Sequence, residues 1–310
     1  MAMSQAEVII LGGGPAGISA LLWCHSLHLR GRLLERGEAL GGQLLQMYHR
    51  LTDYPGLPGL TGAELRDRFV DHLGELALDW RTGCQIESVD LRKRTVRLAG
   101  EEVSAEALIL ATGARKRTLG VPGEERFALR GISYSGTRDH SIYAGREVCV
   151  VGGGDSAIEN CLILARVCPR VTLIHRSDRF RARASWLSAA EATPNIHFLP
   201  WTEVLEVEGS DHVESLRLRD LRSGAEHHFA TGALFVKIGI QPNTELFTGQ
   251  LPLDPEGYLI VDHHQRTEID QVYGVGDVTR PVCLSIPTAV GHGAIAAKEI
   301  ALRRLSGSLV

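Results

Sequence analysis

Short apolar runs alternate with helix-forming segments at two places in this chain. At the first, the apolar run Val8–Leu11 precedes a helix-forming stretch over residues 16–29 and a strand-like run over 31–35. At the second, an apolar run opens at Val148 and a further strand-like run covers residues 171–175. Strands joined through a helix pair in parallel, so each stretch predicts a βαβ unit and a parallel sheet.

The segments between and after these units carry further strand patterns. Residues 84–98 predict short antiparallel strands, and the buried run 107–110 leads into a glycine turn at Gly113. Other strands are expected near residues 204–207, 213–218 and 233–238, and from Thr267 the chain returns to the pattern of its first unit. The sequence therefore predicts an α/β fold of the three-layer type with two Rossmann-like units, the second inserted into the first.

Composition and charge exclude several function classes. The chain has 310 residues, a formal net charge of -4 and a pI near 6.4. Its length suits two domains, and its charge gives no case for nucleic-acid binding. No apolar run approaches the ~20 residues that a membrane-spanning helix needs. Residues 1–7 lack the basic region and apolar core of a secretory signal, so we expect a cytoplasmic protein without a membrane partner.

The six cysteines do not form a metal or dithiol motif. They are Cys24, Cys84, Cys149, Cys161, Cys168 and Cys283. None stands in a Cys-x-x-Cys pair, and their spacing fits neither a zinc site nor an iron–sulfur cluster. We therefore expect no metal site and expect most of these thiols to pack as small apolar groups.

A glycine-rich phosphate-binding signature follows the first strand of each unit. Its residues are Gly12, Gly14, Pro15, Ala16 and Gly17 in the first unit and Gly152, Gly154, Asp155, Ser156 and Ala157 in the second. Glycines let the backbone turn tightly against a pyrophosphate, which binds the free N–H groups at the start of the next helix. Two such motifs, each between a strand and a helix, predict that the chain binds two dinucleotides, a flavin and a nicotinamide.

Residues near the first signature complete a candidate FAD site. Glu35 lies 21 residues after Gly14, at the end of the second strand, where a carboxylate accepts hydrogen bonds from a ribose 2′-OH. A solvated glutamate at a strand end is the alternative. Gly42 and Gln43 follow in a second glycine turn, which would let the backbone approach the cofactor.

Basic residues follow the second signature. His175, Arg176 and Arg181 come at the end of the next strand, where NAD-binding sites usually carry Asp or Glu. Guanidinium groups bind phosphate well, so these arginines favour the 2′-phosphate of NADPH, with NADH as the alternative cofactor. A solvated basic loop is the alternative without a ligand.

Together these motifs resemble those of low-molecular-weight thioredoxin reductases over nearly the whole chain. The matching segments are residues 12–17, 41–44, 54–56, 111–114, 152–157, 175–182, 239–244 and 276–278. The resemblance implies a homodimeric flavoprotein that uses FAD and NADPH. It also implies an FAD-binding domain in two parts, residues 1–117 and 245–310, with an NAD(P)H-binding domain over residues 118–244 between them.

The resemblance also assigns residues to the flavin. Gly276 and Asp277 end an apolar strand that is similar to the family's second FAD fingerprint, in which Asp277 would hold the ribityl chain. Ser285 is a good N-cap for a helix that begins at Ile286, and the positive end of that helix would face the flavin. The other residues placed at the cofactor are Ala111, Thr112, Gly113 and Asp53, although Asp53 is equally well interpreted as a turn-capping aspartate.

One segment departs from the family in a way that changes the chemistry. Thioredoxin reductases carry Cys-Ala-Thr-Cys-Asp before the second glycine signature, whereas this chain has Ser135 and Arg138 at the two cysteine positions. A serine hydroxyl cannot cycle through a disulfide and a guanidinium is not a redox group. Asp139, the family's proton donor, remains and is the candidate catalytic residue.

Three functions follow as hypotheses. The first is a flavoprotein reductase in which hydride passes from NADPH to FAD and electrons then pass to an external acceptor, an iron–sulfur protein of the ferredoxin type or a flavodoxin. Such acceptors are commonly acidic, and residues 92–94 or 115–117 form basic clusters that could meet one, or ordinary solvated surface. The second is a disulfide or peroxide reductase that uses the single thiol of Cys283. The third is a non-catalytic flavin- or nucleotide-binding protein.

Overall fold

The structure is a computed structural model that describes residues 6–47, 50–51 and 53–307. Within these residues the chain folds into two compact units. One unit combines the described residues up to Arg115 with those from Gln241 onward, and the other is Lys116–Ile240. The domain boundaries expected from the sequence lie after residues 117 and 244. They define an FAD-binding and an NAD(P)H-binding domain, and these domain assignments remain predictions.

Both units combine strands with helices. In chain order the strands are β1 (Val8–Leu11), β2 (Gly31–Leu34), β3 (Asp79–Arg81), β4 (Ile86–Asp90), β5 (Thr95–Leu98), β6 (Glu101–Ser104), β7 (Ala107–Leu110), β8 (Ala114–Lys116), β9 (Ile132–Ser133), β10 (Glu147–Val151), β11 (Arg170–Ile174), β12 (Ile196–Leu199), β13 (Thr202–Glu208), β14 (Ser215–Asp220), β15 (Glu226–Ala230), β16 (Ala233–Val236), β17 (Ile240–Pro242) and β18 (Val272–Gly274). The α-helices are α1 (Pro15–Ser26), α2 (Gly62–Glu75), α3 (Gly136–Asp139), α4 (Asp155–Leu164), α5 (Ala184–Glu191) and α6 (Ile286–Leu305). Short 3-10 helices cover Gly42–Gln46, Glu245–Phe247 and Gly276–Thr279.

The parallel sheets of the two units share the order of four of their five strands. The first has a parallel sheet in the order β18-β7-β1-β2-β3, and the second has a parallel sheet in the order β12-β11-β10-β16-β9. In each, the strand before the glycine signature lies at the centre. An antiparallel three-stranded sheet is inserted in each unit, β4-β5-β6 in the first and β13-β14-β15 in the second. The fifth strand differs, because β18 comes last along the chain in its unit whereas β9 comes first in its own. The four corresponding strands agree with a duplicated nucleotide-binding unit.

The central strands are apolar throughout because both of their faces are covered. In β1, Val8 and Ile10 lie in a cluster with side chains of α1 and α6, whereas Ile9 and Leu11 lie in a cluster with side chains of β4 and β5. Alternate residues of a strand point to opposite faces, so a strand that lies between two layers shows no polar positions. β10 follows the same rule from Val148 to Val151, after the exposed Glu147 at its start.

The predicted fold class is thereby confirmed: each unit is a three-layer α/β structure with a helical layer, a parallel sheet and a smaller antiparallel sheet. The carboxyl ends of β1 and β10 lead directly into the glycine signatures, which places both signatures at the edge of the sheet where α/β proteins bind nucleotides. Within the described parts of the chain, no helix is long and apolar enough to cross a membrane.

Candidate functional site

The first glycine turn is shaped by close contact with the end of β7. Gly12 has a φ of 112°, and a Cβ atom there would lie 2.3 Å from the carbonyl oxygen of Ala111. A Cβ atom at Gly14, in contrast, would meet no atom within 4 Å. Helix α1 begins after Gly14 without a side-chain cap, and Pro15 occupies its first turn. The turn therefore offers open space and uncapped first-turn N–H groups of Ala16 and Gly17, which fits a pyrophosphate.

Glu35 connects the end of β2 to this turn. Its Oε2 accepts a hydrogen bond of 2.6 Å from the Gly13 N–H, and its Oε1 accepts one of 2.6 Å from the Gly37 N–H. Sequence reasoning placed Glu35 at a ribose, and this second role of holding the glycine turn was not foreseen. Each carboxylate oxygen keeps lone-pair capacity for a ribose hydroxyl, so the observed contacts are compatible with the predicted role.

Gln43 and Asp277 meet although they are 234 positions apart in the chain. The 3-10 helix that begins at Gly42 brings Gln43 Nε2 within 2.6 Å of Asp277 Oδ2, to which it donates a hydrogen bond. Burial raises the pKa of Asp277 above its usual range, against the opposing effects of the Gln43 hydrogen bond and nearby His292. The three segments predicted for FAD, around residues 12, 43 and 277, thus lie in one unit and two of them are directly bonded.

The start of α6 has the predicted capping geometry. Ser285 Oγ accepts a hydrogen bond of 3.3 Å from the Thr288 N–H, and the helix begins at Ile286 with a proline in its first turn. Ile286 packs against the apolar cluster that surrounds Leu44. Thr112 is held by Asn243 through two hydrogen bonds of 2.7 Å, which fixes the turn that includes Gly113. Asp53 is exposed, and its proposed place at the flavin remains a prediction.

The second glycine turn repeats the first. Helix α4 begins after Gly154 without a side-chain cap, and a Cβ atom at Gly154 would meet no atom within 4 Å. Ser156 is exposed in the first turn of α4 and Ala157 is buried beneath it. Asp155 accepts hydrogen bonds from Arg183, 2.7 Å from the backbone N–H and 2.9 Å from Nε. This contact of Arg183 was not predicted, since nothing in the local sequence relates the two residues.

The basic residues of the second unit lie beside its glycine turn. The Arg181 N–H donates a hydrogen bond of 2.7 Å to the carbonyl oxygen of Gly153, so the segment after β11 is anchored to the turn. The His175 ring packs against Phe180, with 5.1 Å between ring centroids. Burial, aided by the positive charges of Arg176 and Arg181, lowers the pKa of His175. Arg176 and Arg181 are exposed, and both are available to an anionic ligand.

The segment at the family's dithiol position forms a closed polar cluster. Ser135 caps α3, accepting a hydrogen bond of 3.3 Å from the Arg138 N–H. Arg138 donates from both Nε and Nη2 to the carboxylate of Asp139, and Ser133 Oγ donates to the same group at 2.6 Å. Burial alone would raise the pKa of Asp139, but the hydrogen bonds from Arg138 and Ser133 outweigh it and the pKa lies below its usual value. Asp139 is therefore an anion at neutral pH, which sequence reasoning did not foresee.

A half-buried lysine lies close to this cluster. Lys237 follows β16, and its Nζ donates a hydrogen bond of 3.1 Å to the carbonyl oxygen of Tyr134. Burial, with a smaller contribution from the charge of Lys116, lowers the pKa of Lys237 to about 8. No pattern in the sequence predicts the place of this lysine, because its position depends on the packing of β16 beside β10.

The six cysteines differ in their exposure to solvent. Cys24, Cys149, Cys161 and Cys168 are buried, Cys84 is half-buried and Cys283 is exposed. Burial raises the pKa of both Cys24 and Cys149 to about 12, so these thiols stay protonated. In the described part of the chain, no group of three or more His, Cys, Asp or Glu side chains is arranged to hold a metal ion.

Comparison with known proteins agrees with this geometry. The sequence profile of the family described as pyridine nucleotide-disulphide oxidoreductase matches residues 6–293. The chain is 39% identical over 305 residues to a thioredoxin reductase of Mycolicibacterium smegmatis, covering 96% of each protein. It is 37% identical over 302 residues to a thioredoxin reductase of Streptomyces coelicolor, covering 94% of this chain and 92% of the relative.

A solved structure shows the same fold. The thioredoxin reductase of Lactococcus lactis matches with a TM-score of 0.80 and 31% identity, covering 97% of this chain and 100% of that one. Thioredoxin reductases of this family use FAD and NADPH, and the two uncapped glycine turns described above fit two dinucleotides. The chain belongs to the pyridine nucleotide-disulphide oxidoreductase family, in its low-molecular-weight thioredoxin reductase-like branch.

Proposed function

We propose that this chain is an NADPH-dependent flavoprotein reductase that delivers electrons to an external acceptor without a dithiol of its own. One observation carries the proposal: Ser135 and Arg138 stand where relatives of this kind would need thiols, and both are engaged in capping α3 and binding Asp139. Neither side chain can be oxidised and reduced in a catalytic cycle. The first unit is proposed to bind FAD and the second NADPH.

Bound FAD would accept a hydride from NADPH and pass the electrons on, and the protein would supply binding and orientation. In the first unit the α1 N-terminus would bind the FAD pyrophosphate, Glu35 a ribose hydroxyl and Asp277 the ribityl chain. In the second unit the α4 N-terminus would bind the NADPH pyrophosphate, with Arg176 and Arg181 at the 2′-phosphate.

Asp139 has a different role in this proposal from the one that the resemblance implies. A proton donor to a thiol must be protonated, whereas the contacts of Arg138 and Ser133 hold Asp139 as the carboxylate. We propose that Asp139 fixes the guanidinium of Arg138, which in turn stabilises the end of α3. The Gly136 N–H also donates a hydrogen bond of 2.5 Å to Asn160 Oδ1 of α4, so α3 is tied to the nucleotide-binding helix.

The external acceptor is proposed to be a small acidic redox protein of the ferredoxin or flavodoxin type. Of the two basic clusters, residues 115–117 are partly used inside the protein, because Arg115 pairs with Glu245 and Arg117 donates to the Ile240 carbonyl oxygen. In the other cluster Lys93 pairs with Asp90, but both side chains are substantially exposed. The cluster at residues 92–94 is thus the better candidate to meet an acidic partner. The homodimer is proposed on the resemblance alone, and the cytoplasmic location stays an expectation from the sequence.

Anaerobic stopped-flow spectroscopy tests this function. FAD-loaded protein is mixed with NADPH or NADH, and the flavin absorbance is followed before and after addition of ferredoxin, flavodoxin or oxidised thioredoxin. We expect faster bleaching by NADPH than by NADH and reoxidation by one of the first two acceptors. Absence of bleaching by either nucleotide, or reoxidation by thioredoxin alone, would contradict the proposal. FAD binding without turnover on any acceptor would support the non-catalytic alternative.

The exposure of Cys283 favours a second candidate function. Cys283 lies between exposed Val282 and Leu284, two positions before the cap of α6, and is the one cysteine classed as exposed among the described residues. A reductase of low-molecular-weight disulfides or peroxides could use this thiol as its nucleophile. The variant Cys283→Ser, compared with Cys84→Ser as control, decides between the two: full turnover with every accepted substrate excludes a role for Cys283.

A further inference from the structure

His292 lies where α6 comes closest to α1. The next residue, Gly293, is so near α1 that a Cβ atom there would lie 2.2 Å from the carbonyl oxygen of Ala16. On the same side of α6, Ser19 Oγ of α1 donates a hydrogen bond of 2.7 Å to the carbonyl oxygen of Val290. These contacts fix the register of α6 against α1, so the half-buried ring of His292 has a defined position.

That position brings His292 to the backbone of the Gly276–Thr279 turn. The Gly276 N–H donates a hydrogen bond of 3.3 Å to His292 Nδ1. An N–H group can donate to Nδ1 only when this nitrogen carries no proton, so the contact selects the neutral ring with its hydrogen on Nε2. Burial lowers the pKa of His292, in keeping with a neutral ring, although the charge of Asp277 acts in the opposite direction.

The turn is thereby held by side chains from two distant segments. Gln43 binds the Asp277 carboxylate, and His292 binds the N–H of the preceding Gly276. Within the turn, Thr279 Oγ1 donates a hydrogen bond of 2.8 Å to the Gly276 carbonyl oxygen. Gly276 also has a φ of 73°, and a Cβ atom there would lie 2.9 Å from the Cβ of Ala16, so the turn has little room to move.

The charged surroundings of His292 are simple. Its ring faces Asp277 of the turn, the group whose charge acts on it. Helix α1, which packs against α6, carries Cys24 and His25 as its titratable side chains, and neither acts on His292. Protonation of the ring would set an N–H at Nδ1 against the N–H of Gly276 and remove the acceptor that holds the turn.

We propose that His292 is a positioning residue for the flavin: its neutral ring holds Gly276 so that Asp277 is correctly placed, and protonation of the ring weakens FAD binding. The inference rests on the proposed function, because it takes Asp277 as a contact of FAD. It adds His292 to the residues that would support FAD binding, and it predicts that this binding weakens at low pH. Neither point follows from the glycine signatures.

Affinity for FAD tests the inference without any measurement of turnover. FAD is removed from the full chain, and the Kd for added FAD is measured by flavin fluorescence at pH 7.5 and pH 6.0. His292→Ala leaves the Gly276 N–H without its acceptor, and we expect its Kd at pH 7.5 to rise about tenfold. His292→Asn offers an amide oxygen near the position of Nδ1 and does not titrate, so its Kd should stay within about threefold of wild type.

The pH response separates positioning from a merely structural role. We expect the wild-type Kd to rise on acidification by about twofold more than that of His292→Asn, because only the wild-type side chain gains a proton at this position. His25→Asn, in the last turn of α1, serves as the control and should follow the wild type. Circular dichroism and thermal unfolding of the FAD-free protein confirm that each variant is folded.

Two results would overturn the inference alone: wild-type affinity in His292→Ala at pH 7.5, or an equal acid response in wild type and His292→Asn. Failure of the wild-type protein to bind FAD at all would overturn the proposed function as well, and is thus distinguishable.

Discussion

Arg138 binds the carboxylate of Asp139, its immediate neighbour in the chain, through both Nε and Nη2. The carboxylate is buried and also accepts a hydrogen bond from Ser133. In the family that this chain resembles, the position of Arg138 carries a redox-active cysteine. Here Arg138 supplies the counter-charge of a buried acid, and in the proposed function this ion pair takes the place of a thiol couple.

Removing the guanidinium should destabilise the second unit. We expect Arg138→Ala to lower the free energy of unfolding by about 2 kcal/mol at pH 7, because a buried carboxylate then lacks its partner. Chemical denaturation followed by circular dichroism measures the loss. Thr137→Ala, in the same helix, is the matched control and should change stability by less than ~0.5 kcal/mol.

The ion pair between Arg138 and Asp139 makes the stability of the folded protein depend on pH. The pKa of Asp139 in the folded protein lies below its ordinary value of 3.8, so its contribution is fully present above pH 3.8 and is lost as the pH falls through the folded pKa. The stability difference between wild type and Arg138→Ala should therefore be constant from pH 7 to about pH 5 and shrink below pH 4. A difference that persists unchanged at pH 3 would show that another contact of Arg138 is responsible.

Lys237 lowers the stability of the folded protein at neutral pH, whereas the pairing of Asp139 with Arg138 raises it. Its folded-state pKa of about 8 lies below the ordinary 10.5, so the unfolded chain binds more protons between these values and stability rises with pH across that window. We expect Lys237→Met to be more stable than wild type by about 1–2 kcal/mol at pH 7, with the gain disappearing by pH 10.5. Thermal unfolding at pH 7 and pH 10 checks this prediction, and an unchanged melting temperature at pH 7 would contradict it.

Arg176 and Arg181, which follow β11, are expected to make the protein prefer NADPH to NADH. Arg176→Ala and Arg181→Ala should each raise the KM for NADPH about tenfold and leave the KM for NADH nearly unchanged, because only NADPH carries the 2′-phosphate. Steady-state kinetics with both nucleotides measures the effect. Arg222→Ala, which removes an arginine stacked on Trp201 elsewhere in the unit, is the control. Equal losses for both nucleotides would argue against a 2′-phosphate contact.

The bond between Gln43 and Asp277 should matter for the flavin. We expect Asp277→Ala to raise the Kd for FAD about a hundredfold, because it removes the carboxylate. We expect Gln43→Ala to raise the Kd about tenfold, because it removes the hydrogen bond that orients the carboxylate. Equilibrium dialysis against FAD gives both values. Gln46→Ala, an exposed glutamine in the same 3-10 helix, should bind FAD like wild type.

Local patterns predicted the fold and the glycine turns well. β1 is apolar throughout and β10 is apolar from Val148 onward, and each leads into glycines and then a helix. The strand, the turn and the helix therefore follow from adjacent residues. Ser285 as the cap of α6 is predictable for the same reason. Such features depend on interactions within a few positions of the chain.

Contacts between distant segments could not be predicted. The pairing of Gln43 with Asp277, of Arg183 with Asp155 and of His292 with Gly276 depends on how separate elements pack, and no local pattern encodes it. The charge state of Asp139 is a further case. Its neighbours were visible in the sequence, but the burial that turns Arg138 inward onto it was not.

The number of electrons that the protein takes up tests the absence of a dithiol most directly. FAD-loaded protein is titrated anaerobically with dithionite while the flavin absorbance and the free thiols are measured. FAD alone accepts two electrons per chain, whereas FAD with a redox-active disulfide accepts four. We expect an uptake of two electrons per chain, with the six cysteines present as free thiols before and after the titration. An uptake of four electrons, with two thiols appearing only on reduction, would contradict the proposed function.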